Sequence, residues 1–291
     1  MIKTALPLAT LFLGASLLAQ LRVDVRLVNI VATVTDSRGR YVTNLIADDF
    51  LVQEDGVSQQ ISHFARSNDS PASVGIVMDT SVSMKPKSTT AVQAVDRFIR
   101  DVHPDDEIFF MTFGDVVRLH QDFTGDRSRL SRALQTVALS YGTALFDGVL
   151  SGLDKVRKGK HAKKALLLIS DGIDSVSQKD YKAARAGVRE SKALIYALGI
   201  APDDPNDATL DMDSLNSFAE ESGGKVWLIQ GGSRAMDLEH ALGQVADELR
   251  SQYSFGYDPR HDLGDGRWHH VEIRLRNPDH TIRYKQDYFG G

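Results

Sequence analysis

Val74-Gly75-Ile76-Val77-Met78 runs directly into Asp79-Thr80-Ser81-Val82-Ser83. An unbroken apolar run of this length reads as a strand buried on both faces, the pattern of a parallel sheet covered by helices. A second run, Ala165-Leu166-Leu167-Leu168-Ile169, ends in Ser170-Asp171-Gly172, and Thr143 opens the helical stretch Ala144-Leu145-Phe146-Asp147-Gly148-Val149-Leu150. In an open α/β sheet the carboxyl ends of the strands converge on one crevice, and ligands bind there. Asp79, Ser81, Ser83, Thr143 and Asp171 are therefore expected to meet at one point. All five offer oxygen, a donor set that suits Mg2+, with Mn2+ or Ca2+ as alternatives, and suits Zn2+ or Cu2+ poorly. Each residue alone has a plainer reading. Asp79, Ser81 and Thr143 could cap helices, and Asp171-Gly172 could form a turn. It is their joint placement at strand and helix ends that favours a metal site.

Outward from these runs, strands and helices alternate from 73 to about 250. Val92, Val95, Phe98, Ile99 and Val102 share one helix face. Glu107-Ile108-Phe109-Phe110-Met111-Thr112-Phe113 is a buried strand, paired through a Gly114-Asp115 turn with Val116-Val117-Arg118-Leu119 as an antiparallel edge. Helices are expected near 127–138, 144–158 and 178–190, from Ser214, and over about 235–251. Further strands are expected at Ala193–Leu198 and Val226–Ile229. This is the doubly wound, mostly parallel α/β pattern.

Both flanks are β in character. Arg22–Thr35 alternates apolar and polar residues, with a break expected near Asn29, and Asp48–Ile61 reads as a hairpin about an Asp-Gly turn. After Ser251, strands are expected at 253–257, 268–276 and 281–284. A lone hairpin is marginal in water. The two flanks are thus expected to form one small β-sandwich with the α/β unit inserted between them. The expected boundaries are 1–19, 20–70, 71–251 and 252–291.

Asp-x-Ser-x-Ser after the first strand, the Thr of Gly142-Thr143-Ala144-Leu145-Phe146-Asp147, and Ser170-Asp171-Gly172-Ile173-Asp174 after a later strand resemble a von Willebrand factor type A domain with its metal-ion-dependent adhesion site. Together with Asp48-Asp49-Phe50-Leu51-Val52-Gln53-Glu54-Asp55-Gly56 and the terminal Ile282-Arg283-Tyr284-Lys285-Gln286-Asp287-Tyr288-Phe289, the chain is similar to the VWFA-related proteins described from Acidobacteria. The resemblance implies direct contact of the Ser81, Ser83 and Thr143 hydroxyls with a cation, Asp79 and Asp171 acting directly or through water. It also implies a protein partner that presents Glu or Asp to the metal, and no catalysis. Two other readings stay open. One is a structural or assembly protein whose metal only stiffens the crevice. The other is a metal-dependent hydrolase with Asp79 as nucleophile, although Ser81 stands where such sites carry a second Asp.

Met1-Ile2-Lys3 and the apolar stretch from Ala5 to Ala19 read as a secretory signal with a cut after Ala19; the alternative is an uncleaved anchor, for which the run is short. No cysteine is present, which excludes a lipid-modified cysteine and disulfides. The expectation is a bacterial periplasmic or secreted protein with no membrane span after cleavage. A net charge of −5 and a pI near 6.0 argue against general nucleic-acid binding and leave the oligomeric state open. The run Lys155, Arg157, Lys158, Lys160, Lys163, Lys164 reads as a solvated helix end. Asp203, Asp204, Asp207, Asp211 and Asp213 read as a solvated loop lacking the order of an EF-hand. His269 and His270, adjacent in a strand, face opposite ways and read as structural.

Overall fold

The computed structural model describes residues 27–66, 70–171, 173–202, 210–230 and 234–291. The segment read as a secretory signal, and Asp203, Asp204 and Asp207, lie outside them.

The central sheet contains six strands: β5 (Ala72–Asp79), β6 (Glu107–Phe113), β7 (Arg118–Thr124), β8 (Lys163–Ser170), β9 (Leu194–Ile200) and β10 (Lys225–Ile229). They lie in the order β10-β9-β8-β5-β6-β7. All neighbours are parallel except β6 and β7. Every residue of β5, β6 and β9 is buried, which is why these segments read as unbroken apolar runs. One face is covered by α1 (Ser88–Asp101), α2 (Arg127–Leu134) and α6 (Arg234–Ser251). The other is covered by α3 (Leu145–Arg157), α4 (Tyr181–Glu190) and α5 (Met212–Ser222). The chain leaves β5 towards β6 on one side and later returns through β8 on the other. The reversal of direction therefore falls between β5 and β8, where such folds open a crevice.

The flanks build two four-stranded antiparallel sheets. One orders β13 (Thr281–Tyr284), β1 (Val28–Thr35), β11 (Tyr253–Tyr257) and β4 (Ile61–Arg66). The other orders β14 (Asp287–Phe289), β12 (Trp268–Leu275), β2 (Phe50–Glu54) and β3 (Val57–Gln59). Val28, Ile30, Phe50, Val52, Tyr253, Phe255, Val271 and Ile273 pack between them, so N- and C-terminal segments share one core. The β2–β3 turn is Asp55-Gly56 with φ of +48° and +79°, the conformation that an Asp-Gly hairpin turn requires.

Several boundaries differ from the sequence reading. β1 passes through Asn29 unbroken, because Asn29 pairs with Gly256 across the sheet. α2 stops at Leu134, and the Thr136 hydroxyl bonds back to the Ala133 carbonyl at 2.7 Å in place of a further turn. The edge strand begins at Arg118 rather than Val116. The basic run is not uniformly solvated. Lys155 pairs with Asp122 at 2.6 Å, and Arg157 and Lys158 pair with Asp154 at 3.0 and 2.6 Å. Lys163, however, is buried with its ammonium 3.1 Å from the Leu249 carbonyl, and burial pushes its pKa down to about 8.

Candidate functional site

Asp79 ends β5 and Ser170 ends β8, side by side at the reversal point. Asp79 is 1% exposed. Its Oδ1 accepts the Ser81 backbone N–H at 2.8 Å and its Oδ2 accepts the Ser170 hydroxyl at 2.8 Å. Burial pushes its pKa up to about 6, against the lowering effect of these hydrogen bonds. The neighbouring Asp171 carboxylate adds to the rise.

Asp171, fully buried, is the hub of the crevice. Its Oδ1 accepts the Ser83 hydroxyl at 2.9 Å and the Ser81 hydroxyl at 3.4 Å, and the two hydroxyls lie 3.0 Å apart. Its Oδ2 accepts the ammonium of Lys87. Ser81 precedes the 3-10 turn Val82–Met84 but its side chain does not cap that turn; the hydroxyl is aimed across at Asp171 instead. The plain capping reading therefore fails for Ser81.

Thr143 is buried and enters by a different route. The residue at the start of α3 in the capping position is Ala144, so Thr143 is not the cap. Its backbone is clamped to the loop after β8: its N–H donates to Ser175 Oγ at 3.0 Å, and its carbonyl accepts Ser175 N–H at 2.9 Å. The segment before it is bridged to Ser81 through Ser140, whose N–H donates to the Thr80 carbonyl at 2.8 Å. Among the described residues, no hydrogen bond joins the Thr143 hydroxyl to the other four side chains. Ser81, Ser83 and Asp171 thus meet through direct side-chain bonds, Asp79 joins them through the Ser81 backbone N–H, and Thr143 is held beside them by its backbone.

The surrounding loops are fixed by short polar side chains. Asp115 accepts the Ser140 hydroxyl at 2.5 Å and the Gly142 N–H at 2.6 Å, and this draws its pKa down. Asp174 accepts the Phe146 N–H at 3.2 Å and so serves the first turn of α3. Gly114 is required by close approach: a Cβ there would lie 2.3 Å from Ser140 Cβ and 3.0 Å from Thr80 Oγ1. The sequence reading missed Lys87, Ser170, Asp115 and Ser140. Ser170 carried a signal, a polar residue at the buried end of an apolar strand; nothing in Met84-Lys85-Pro86-Lys87 marks Lys87 for burial.

The donor chemistry fits a hard divalent cation. Adjacent oxygens around Mg2+ at bonds of about 2.0–2.1 Å in an octahedron stand roughly 2.8–3.0 Å apart. Two of the three spacings match, Ser81 to Ser83 at 3.0 Å and Ser83 to Asp171 Oδ1 at 2.9 Å, and the third, Ser81 to Asp171 Oδ1, is wider at 3.4 Å.

A second group that could hold a metal ion lies in the sandwich, where Glu54, His261 and His269 bring ligand atoms within 4.8 Å of one another. The two imidazoles stack at 3.7 Å with 7° between planes, so their in-plane lone pairs run in parallel planes rather than converging. The atoms are also engaged. Glu54 accepts the Tyr257 hydroxyl at 3.0 Å and that of Tyr288, and His269 bridges Asp55 at 2.8 Å and Asp265 at 3.2 Å. His269 is buried while His270 is exposed, opposite faces as adjacent strand residues must be.

The family model for the von Willebrand factor type A domain matches residues 73–238. No curated protein matches the chain. Among solved structures, the chain is similar to the vWF domain of the type V pili tip protein Mfa5 from Porphyromonas gingivalis, at 14% identity and a TM-score of 0.51, over 61% of this chain and 94% of that one. It is similar to the PilB minor pilin from Streptococcus sanguinis at 11% identity and a TM-score of 0.53, over 62% of each chain. The likeness to a von Willebrand factor type A protein from Catenulispora acidiphila has 12% identity and a TM-score of 0.55, but it spans 93% of this chain and 73% of that one. At these identities the likeness is one of fold, and in the last case it extends beyond the central sheet.

Proposed function

This chain belongs to the von Willebrand factor type A domain family, and from that premise we propose that it is a non-enzymatic, divalent-metal-dependent protein-binding module acting outside the cytoplasm. Domains of this family commonly mediate protein–protein interaction. The observation that carries the reading is the convergence of Ser81, Ser83 and Asp171 Oδ1 at 2.9–3.4 Å, beside a buried Asp79, at the reversal point of the sheet. Ser81, Ser83, Thr143, Asp79 and Asp171 would hold the cation, Mg2+ by donor chemistry with Mn2+ or Ca2+ as substitutes. Bound there, Mg2+ would supply positive charge and an exchangeable position for a partner's Glu or Asp carboxylate.

The chain's own residues supply the rest. Burial of Asp79 raises the cost of its charge, and a cation relieves that cost. Both its oxygens are tied to Ser81 and Ser170, an arrangement that holds a ligand rather than frees a nucleophile. Around the mouth, Val82, Ile173 and Val176 are about half exposed and Tyr141 is 93% exposed, apolar and aromatic side chains of the kind that the buried centre of an interface takes up. The extracytoplasmic assignment rests on the leader-like residues 1–19 and is consistent with the likeness to a pilus tip domain and a pilin. No helix among the described residues is long and apolar enough to cross a membrane.

The test is thermal unfolding of residues 20–291 with Mg2+ or with excess chelator, for wild type and Asp79→Ala. A cation at about 100 times its Kd adds roughly 2.7 kcal/mol. The expected result is a Mg2+-dependent rise in Tm that Asp79→Ala abolishes. A rise of equal size in Asp79→Ala would place the cation elsewhere and end this reading. Mg2+ is the ion of choice because the histidine-containing group would favour softer metals.

A further inference from the structure

Asp171 divides its two oxygens between different partners. Oδ1 faces the Ser81 and Ser83 hydroxyls, and Oδ2 faces Lys87. The Lys87 side chain is 4% exposed and that of Asp171 is fully buried, so this is not a surface ion pair. The position is also an unfavourable one for a cation. Lys87 is the residue that opens α1, where the aligned peptide dipoles leave partial positive charge. Its backbone is fixed there, with its N–H on the Met84 carbonyl and its own carbonyl accepting from Ala91, both at 2.9 Å. A buried ammonium at a helix N-terminus is retained against both desolvation and the dipole.

We propose that Lys87 sets the charge of the crevice so that a divalent cation is held weakly by the chain alone and firmly only together with a carboxylate from the partner. The inference rests on the metal-dependent reading above. Without Lys87, the Asp79 and Asp171 carboxylates would balance a divalent cation outright. With it, the two carboxylates face one ammonium, and a divalent cation leaves one positive charge over. A third carboxylate, supplied from outside, balances that charge. Because Lys87 sits on Oδ2, it does so without occupying the Oδ1 side where the hydroxyls converge. Lys87 acts through Asp171 and through charge, and makes an acidic partner part of the completed site.

The experiment titrates Mn2+ as the probe into wild type, Lys87→Met and Lys87→Arg, in sodium acetate and in sodium chloride of equal ionic strength. Circular dichroism confirms the fold, and Lys87→Gln replaces the Met variant if that chain does not fold. Wild type is expected to bind Mn2+ more tightly in acetate than in chloride. Lys87→Met is expected to bind Mn2+ alone about tenfold tighter or more, with the acetate enhancement lost. Lys87→Arg, which keeps the charge, should restore wild-type behaviour in both salts. A neutral variant that binds Mn2+ no more tightly than wild type, or that keeps the acetate enhancement, overturns the proposal while leaving the metal site standing. Absence of Mn2+ binding to wild type in both salts removes the metal reading and this inference with it.

Discussion

Glu248 offers the sharpest test of how the two halves of the molecule are joined. It lies on α6 and is 1% exposed. Its Oε1 accepts the Tyr196 hydroxyl from β9 at 2.7 Å, the Thr33 hydroxyl from β1 at 3.2 Å, and the Arg283 guanidinium from β13. Its Oε2 accepts the Tyr41 hydroxyl at 3.4 Å. Burial, with the carboxylate beside them, holds the Tyr41 and Tyr196 hydroxyls protonated far above their usual range, so both remain donors. One carboxylate therefore ties the sandwich sheet to the α/β unit.

Breaking a buried ion pair by removing one partner costs about 3–5 kcal/mol. The Arg283 side chain is 32% exposed and recovers part of its hydration, which places Glu248→Gln at the lower end, about 3 kcal/mol. Glu248→Ala also strands the Tyr196 and Thr33 hydroxyls and should cost about 4–5 kcal/mol. Arg283→Met removes the orphaned charge, so combined with Glu248→Gln it should lose about 2 kcal/mol less than the sum of the single losses. Urea unfolding is the assay, followed by circular dichroism and by the fluorescence of Trp227 and Trp268. These tryptophans sit in β10 and β12 and report on the two halves. A loss below about 1 kcal/mol for Glu248→Ala, or strict additivity of the double variant, would show that the joint is not held here.

Other substitutions probe separate parts of the structure. Gly114→Ala drives a methyl into Ser140 Cβ, which it would meet at 2.3 Å; the expected cost is about 1–3 kcal/mol. Weaker Mn2+ binding should accompany it, because Ser140 and the segment reaching Thr143 are pushed off Ser81; unaltered Mn2+ affinity would detach that segment from the site. His269 supplies a pH test. Burial lowers its pKa, but hydrogen bonds to Asp55 and Asp265 outweigh this and raise it above the ordinary value. Its contribution is thus complete below the unfolded value near 6.5 and is lost as pH rises through the higher folded value. The stability difference between wild type and His269→Gln should shrink between pH 6 and pH 9, and a difference that grows with pH would refute the assignment.

What the sequence disclosed follows from which forces act locally. β5 and β8 were legible because burial on both faces demands unbroken apolar runs, and the hydroxyls and carboxylates at their ends stood out against them. The Asp55-Gly56 turn was legible because few residue pairs accept positive φ twice. β14 was not: three residues, Asp287-Tyr288-Phe289, carry no period, and only pairing with β12 makes them a strand. Lys87 was illegible for a related reason. Nothing near it in sequence explains burying an ammonium, and the explanation, Asp171, arrives 84 residues later. The same holds for Lys163, whose acceptor is the carbonyl of Leu249 on α6. Apolar burial is written in composition, whereas the burial of a charge depends on a partner that only the tertiary fold supplies.

The topology also places the sandwich and the crevice at opposite poles of the central sheet. From β4 of the sandwich the chain enters the central sheet at Ala72, the amino end of β5, and α6 runs back against the strands to leave at Ser251. Both junctions with the sandwich therefore lie at the amino ends of the parallel strands. Arg283 reaches the Gly223 carbonyl at the turn before β10, and Lys285 reaches the Val188 and Arg189 carbonyls at the end of α4, all at that same pole. Asp79 and Asp171 lie at the opposite pole, at the carboxyl ends of β5 and β8. The crevice is therefore turned away from the sandwich. Substitutions at distant sites with no shared partner should act independently. Glu248→Gln should therefore lower stability while leaving Mn2+ affinity as in wild type, and Lys87→Met should change Mn2+ affinity without loosening the joint. Were Glu248→Gln to weaken Mn2+ binding under conditions where the chain stays folded, the two poles would be coupled through the sheet.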